Sequence, residues 1–186
     1  MLITSDQQLA LRARQLRNQG RDSALDWYRH TEVGFSYRLS DINCALGLSQ
    51  LARIDAVIER RHKLAEIYDR ELAQIAELIR PPLMSEVGRI SWFVYPVQVA
   101  PEFNANDRDK ICESLSRKGI GAGRYFAPLH LQPVLKPYAN FPPLPQTELV
   151  ADRVIALPFF NALTECEIQE VRGALEESIR ELRLKM

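Results

Sequence analysis

At 186 residues the chain is long enough for one substantial core and a fragment of a second domain. Hydrophobic residues make up 46% and charged residues 26%, which excludes a disordered protein. Lysine plus arginine balance aspartate plus glutamate at 24 each, so no net field favours nucleic acid or an anionic membrane surface.

Met1–Thr4 reads as a short strand remnant, as in a chain that has been cut rather than begun. Ser5-Asp6 then opens a helix whose stripe of Leu9, Leu11, Ala13 and Leu16 stops at Gly20. Residues 21–32 are polar and hold Trp27-Tyr28-Arg29-His30, which read as a surface loop. Gly34-Phe35-Ser36-Tyr37-Arg38 is an aromatic loop ending in one arginine. Ser40 fits an N-cap and Asp41 suits the positive end of the helix that follows. The early turns of that helix carry the small residues Ala45 and Gly47, which allow another backbone or a ligand to come close.

From Ile54 to Ile75 apolar residues recur at helical spacing, with Arg60, Arg61 and Lys63 opposite, and Pro81-Pro82 ends the region. Residues 91–99 (SWFVYPVQV) read as a strand that Pro96 pushes toward an edge or a bulge. Asp107 is expected to cap a helix running to Lys118 and stopped by Gly119. Residues 120–126 read as a second short strand, 127–146 as a proline-rich loop, and 147–156 as helix. Thr164-x-x-Glu167 is a capping-box pattern, and Ile168, Val171, Leu175, Ile179 and Leu182 stripe the last helix. The expected fold is α/β with an α+β small domain: long amphipathic helices, then a strand-helix-strand-helix unit, with a boundary between 1–80 and 81–186.

Cys44, Cys112 and Cys166 lie far apart, which fits neither a disulfide framework nor a zinc site, and a reducing cytoplasmic setting follows. No apolar run approaches the ~20 residues of a membrane span. No metal site is expected. Gly119-Ile120-Gly121-Ala122-Gly123 is not a phosphate loop, because a helix precedes it and a strand follows. It reads as a helix stop and a tight turn.

The run Gly34-Phe35-Ser36-Tyr37-Arg38-Leu39-Ser40-Asp41-Ile42-Asn43-Cys44-Ala45-Leu46-Gly47-Leu48-Ser49-Gln50-Leu51 resembles the G-[FY]-N-[YF]-R-[LM]-x-[DE]-[IL]-x-A-A-[LI]-G-x-x-Q-L signature of the DegT/DnrJ/StrS aminotransferases. Leu51-x-x-Ile54-Asp55 with Arg60-Arg61, Arg124-Tyr125-Phe126-Ala127-Pro128-Leu129-His130, and Ala156-Leu157-Pro158-Phe159 before Thr164 are similar to further stretches of that family, in the same order. The resemblance covers nearly the whole chain. It implies the C-terminal portion of a fold-type-I, pyridoxal-phosphate-dependent transferase that moves an amino group, from glutamate, onto a nucleotide-linked keto-sugar, a step of polysaccharide biosynthesis.

The resemblance implies a homodimer whose Ser36, Tyr37 and Arg38 reach the neighbour's cofactor. Ser36 departs from the family's asparagine, and its hydroxyl is a shorter donor to phosphate. Arg38 can grip two oxygens of an anion, or pair with Asp41 or Glu32. Tyr125 and His130 are the implied substrate residues; the alternatives are a core role for Tyr125 and a solvated loop histidine. Trp27 and Tyr28 line the nucleotide site or simply a surface loop.

Transamination needs a Schiff-base lysine and a carboxylate on the cofactor's ring nitrogen. In the family both lie ahead of the Glu-Gly-Gly turn that precedes the position of Met1. None of the five lysines, Lys63, Lys110, Lys118, Lys136 and Lys185, fits instead. The isolated chain is therefore expected to carry no catalytic lysine and to be inactive alone. A non-catalytic dimerisation or interaction module derived from that fold is the alternative.

Overall fold

Side chains that can cap their own helices set most of the boundaries in the computed structural model, which describes residues 2–21, 29–84, 88, 90–135, 137–138 and 142–184. Asp6 accepts from the amides of Gln8 and Leu9 and starts α1 (Gln7–Arg17). Ser40 accepts from Asn43 N at 3.4 Å and starts α2 (Asp41–Leu51). α3 (Ile54–Leu72) follows after a two-residue turn. Asn104, not Asp107, caps α4 (Ala105–Arg117): its side chain takes the amides of Asn106 and Asp107, and the Asp107 carboxylate returns to Asn104 N at 3.3 Å. Asp107 is thus the far member of the capping box. Thr164 and Glu167 form the expected box at the head of α6 (Glu165–Arg183).

The chain groups into two compact units, residues 1–54 and 55–186. In the first, the described residues 2–4 form no strand, and Gly20 alone among the described residues is buried. Gly20 sits at φ +74°, and a Cβ there would lie 1.7 Å from Glu32 O, so the turn after α1 requires glycine. The segment 35–37 closes the end of α1. Phe35 N donates to Leu16 O at 2.6 Å and Tyr37 N to Arg17 O at 3.0 Å, satisfying carbonyls the last turn would leave open.

The second unit is a four-stranded antiparallel sheet in the order β1-β2-β4-β3, with β1 Leu78–Ile79, β2 Tyr95–Val99, β3 Gly123–Arg124 and β4 Val154–Leu157. β2 is an inner strand. Pro96 is tolerated because β1 pairs only with Gln98 and Val99, leaving the other side of Pro96 open while Ala156 faces it from β4. The helix expected over 147–156 is shorter: α5 (Pro145–Arg153) gives way directly to β4, whose Val154, Ile155 and Leu157 are buried. The strand expected over 120–126 shrinks to β3.

Alternation on β2 sends Tyr95, Val97 and Val99 into a core completed by Leu64, Tyr68 and Leu72 of α3, Ile111 and Leu115 of α4, and the apolar stripe of α6. α3 belongs to this unit because half of one face is buried in it. Its two arginines fasten it there. Arg60 donates to Leu163 O at 2.6 Å and Asn161 O at 3.2 Å; Arg61 donates to Asn161 Oδ1 at 2.7 Å and Trp92 O at 3.1 Å. No helix among the described residues is long and apolar enough to cross a membrane.

Candidate functional site

The capping of α1 by 35–37 also places the first candidate side chains. Ser36 bridges Asn18 and is exposed; Tyr37 stacks on Phe35 with centroids 4.9 Å apart and stays 70% exposed. Arg38 makes no ion pair with Asp41 or Glu32, and Glu32 instead faces Arg12 at 3.6 Å. Arg38 lines a cleft of about 340 Å³ with Arg14, Arg17, Arg21, Gln15 and Asn18. Among the described residues four guanidiniums and no carboxylate line it, donors matched to phosphate or carboxylate oxygens. Sequence reasoning singled out Arg38 and passed over its companions. Arg14 and Arg17, three residues apart, share one side of α1, and the turn at Gly20 brings Arg21 to the same cleft.

The second unit holds the other two candidates. Tyr125 is half-buried against Phe93 and Phe126 and lines a groove of about 790 Å³ with Pro96, Gln98, Phe126, Thr147 and Val150. Phe126 holds φ +24° and is 78% exposed, a strained backbone position at the groove's rim. His130 is not among the groove residues. Its side chain is 7% exposed and its Nε2 lies 3.0 Å from Glu148 Oε1, which ties the short turn Leu129–Leu131 to α5. Glu148, eighteen residues away, left no signal in the sequence. Trp27 and Tyr28 lie outside the described residues.

The His130 hydrogen bond and then the Leu144 amide hold the Glu148 carboxyl below its ordinary value of 4.5. A carboxyl whose folded value is depressed contributes stability that is complete above its unfolded value and disappears as pH falls through the folded one. The 129–131 turn is therefore expected to loosen below about pH 4.5, read as faster exchange of the Leu144 amide. Glu148→Gln should flatten that dependence between pH 3 and 5, by roughly the width of one carboxyl titration.

Among the described residues the lysines are structural. Lys63 pairs with Glu59, Lys110 with Asp107, and Lys118 with Glu177 and Glu181. Burial works against the Lys118 ammonium, yet hydrogen bonds to Glu181 and Glu177 hold its pKa above the ordinary value, the reverse of what a nucleophilic amine needs. Lys136 and Lys185 lie outside the described residues. Among those described, no group of histidine, cysteine, aspartate and glutamate is arranged to hold a metal ion, and the three cysteines are free.

The first unit thus presents an exposed serine, tyrosine and arginine, and the second carries a four-stranded antiparallel sheet. The sequence profile of the DegT/DnrJ/EryC1/StrS aminotransferase family matches residues 1–176, and the chain belongs to that family. It is 32% identical to the GDP-perosamine synthase of Caulobacter vibrioides, over 95% of this chain and 47% of that protein. The crystal structure of the aminotransferase TlmJ from Streptoalloteichus hindustanus superposes with a TM-score of 0.84 at 28% identity, over 96% of this chain and 47% of that one. PseC of Helicobacter pylori, an aminotransferase involved in pseudoaminic acid biosynthesis, gives 0.86 at 25% identity, over 96% and 48%. The chain spans about half the length of the relatives it matches. The family's cofactor is pyridoxal 5'-phosphate.

Proposed function

We propose that these residues form the C-terminal portion of a homodimeric aminotransferase that transfers an amino group, from glutamate, to a nucleotide-linked keto-sugar. The observation that carries this reading is the exposed Ser36-Tyr37-Arg38 edge, held by the capped end of α1, whose Arg38 has no ion pair among the described residues. A hydroxyl and a guanidinium presented to solvent fit a phosphate group; no described lysine fits the cofactor's aldehyde. The fit is thus to the phosphate end alone. Pyridoxal phosphate, when bound, supplies the electron sink that lets the amino group leave its donor. Arg38 would neutralise phosphate charge, Ser36 would donate one further hydrogen bond, and Tyr37 would wall the site.

On the sugar side, Tyr125 offers a ring face in the groove for a hexose or base. His130 acts through Glu148, holding the turn beside that groove rather than meeting substrate itself. The division into residues 1–80, part of the large cofactor domain with the interdomain helices, and 81–186, the small domain, is part of the same proposal, as is a cytoplasmic location.

By themselves the 186 residues are proposed to be inactive, because the lysine is supplied elsewhere in the family fold. Borohydride reduction of the chain with pyridoxal phosphate, followed by peptide mass mapping, is expected to give scattered, substoichiometric labelling. One lysine labelled stoichiometrically would contradict the reading.

A further inference from the structure

The last turn of α1 carries two guanidiniums that its backbone does not use. Arg14 and Arg17 stand where basic side chains ordinarily serve the open carbonyls of a helix end. Those carbonyls are already taken by amides. Asn18 N donates to Arg14 O at 3.2 Å and to Gln15 O at 3.0 Å, Gly20 N to Gln15 O at 2.8 Å, Phe35 N to Leu16 O and Tyr37 N to Arg17 O. Neither guanidinium has an ion pair or hydrogen bond among the described residues, whereas neighbouring Arg12 faces Glu32 at 3.6 Å and Arg21 donates to His30 Nε2 at 3.3 Å. Two like charges one turn apart repel each other, and a bound anion reverses the sign of that interaction.

Both arginines line the cleft of about 340 Å³, together with the half-buried amide residues Gln15 and Asn18, which add neutral donors. We propose that Arg14 and Arg17 form a clamp for a diphosphate group, one guanidinium on each phosphate.

The number of oxygens decides between anions. Each guanidinium fork takes two oxygens side by side. A diphosphate esterified at both ends has two phosphates, each with two free oxygens and one negative charge, so both forks are filled and both charges matched. A single phosphate ester has three free oxygens and leaves one fork short, and a carboxylate fills only one. The spacing agrees: residues three apart on a helix have Cβ atoms about 5–6 Å from each other, within which two long side chains can close on adjacent phosphates. The choice of a nucleotide-linked sugar as the source of the diphosphate rests on the proposed function. Arg38, which shares the cleft, remains with the cofactor's phosphate.

The test is isothermal titration calorimetry of the 186-residue chain with UDP-glucose, inorganic pyrophosphate and orthophosphate, with no cofactor present. UDP-glucose and pyrophosphate are expected to bind about tenfold or more tightly than orthophosphate. Arg14→Gln and Arg17→Gln should each weaken both by about tenfold, the size of one lost charge-assisted contact. Arg12→Gln, outside the cleft and paired with Glu32, should change neither. Circular dichroism checks that all three variants fold. Orthophosphate binding as tightly as pyrophosphate, no binding of either diphosphate, or equal weakening by Arg12→Gln would overturn the clamp. Pyrophosphate held through Arg14 and Arg17 while UDP-glucose is not would uphold the clamp and remove the nucleotide-linked sugar of the proposed function instead. Loss of the cofactor reading leaves every arm of this test unchanged.

Discussion

Tyr95→Ala is expected to destabilise the 55–186 unit by about 3–5 kcal/mol, the range for truncating a buried aromatic residue. Tyr95 is wholly buried, stacks on Tyr68 at 4.7 Å, and also meets Trp92 and Phe159. Removing it opens a void at the start of the inner strand, where α3 and the sheet meet. The hydroxyls of this cluster separate the effects. Tyr68 donates to Pro158 O at 2.7 Å, so Tyr68→Phe should cost about 1 kcal/mol and leave that carbonyl unpaired. Tyr95 Oη is buried without a partner among the described residues, so Tyr95→Phe should be neutral or slightly stabilising. Burial raises the pKa of both phenols, most strongly through desolvation, so neither ionises near neutrality. Urea unfolding followed by near-ultraviolet circular dichroism ranks the three variants. Equal losses for the two phenylalanine variants would contradict the assignment.

What the sequence made legible follows how local each cause is. The caps at Ser40 and Thr164 and the stop at Gly119 act within four residues, and the structure has them where the pattern put them. Asn104 was missed in favour of Asp107 because both members of a capping box are good cap residues and their order is not marked in composition. β4 was read as helix because Val154-Ile155-Ala156-Leu157 continues the apolar spacing of α5, and only pairing with β2, more than fifty residues back, selects the strand. A separation of 100 residues or more hides the clasp of Arg60 and Arg61 on residues 161–163, since the spacing alone puts both arginines on the solvated side of α3. In the site, contiguous Ser36-Tyr37-Arg38 was readable as one motif. The arginine cleft around it and the Glu148 partner of His130 arise from folding.

An enzyme of full family length made by joining the N-terminal half of the Caulobacter relative ahead of Leu2 should bind pyridoxal phosphate, and Arg38→Met should weaken that binding about 10- to 100-fold. A hydrogen bond to a charged group contributes roughly 1.5–3 kcal/mol, and Arg38 can supply two to one phosphate. Two other arginines of the cleft, Arg14 and Arg17, remain in the variant, which sets the upper limit on the loss. Ser36→Ala removes one neutral donor and should weaken binding by about fivefold. Ser36→Asn restores the residue that the family pattern carries here and should tighten it, because the longer amide reaches oxygens a serine meets through water. The cofactor's absorbance titrated against each variant gives these ratios. If Arg38→Met binds like the parent while Tyr95→Ala still unfolds as described, the loop is a surface feature of α1's cap and the cofactor assignment fails. If Arg38→Met and Ser36→Asn move affinity in opposite directions, the chain's exposed edge is the neighbour's phosphate site, and the serine is this protein's departure from the family's usual grip.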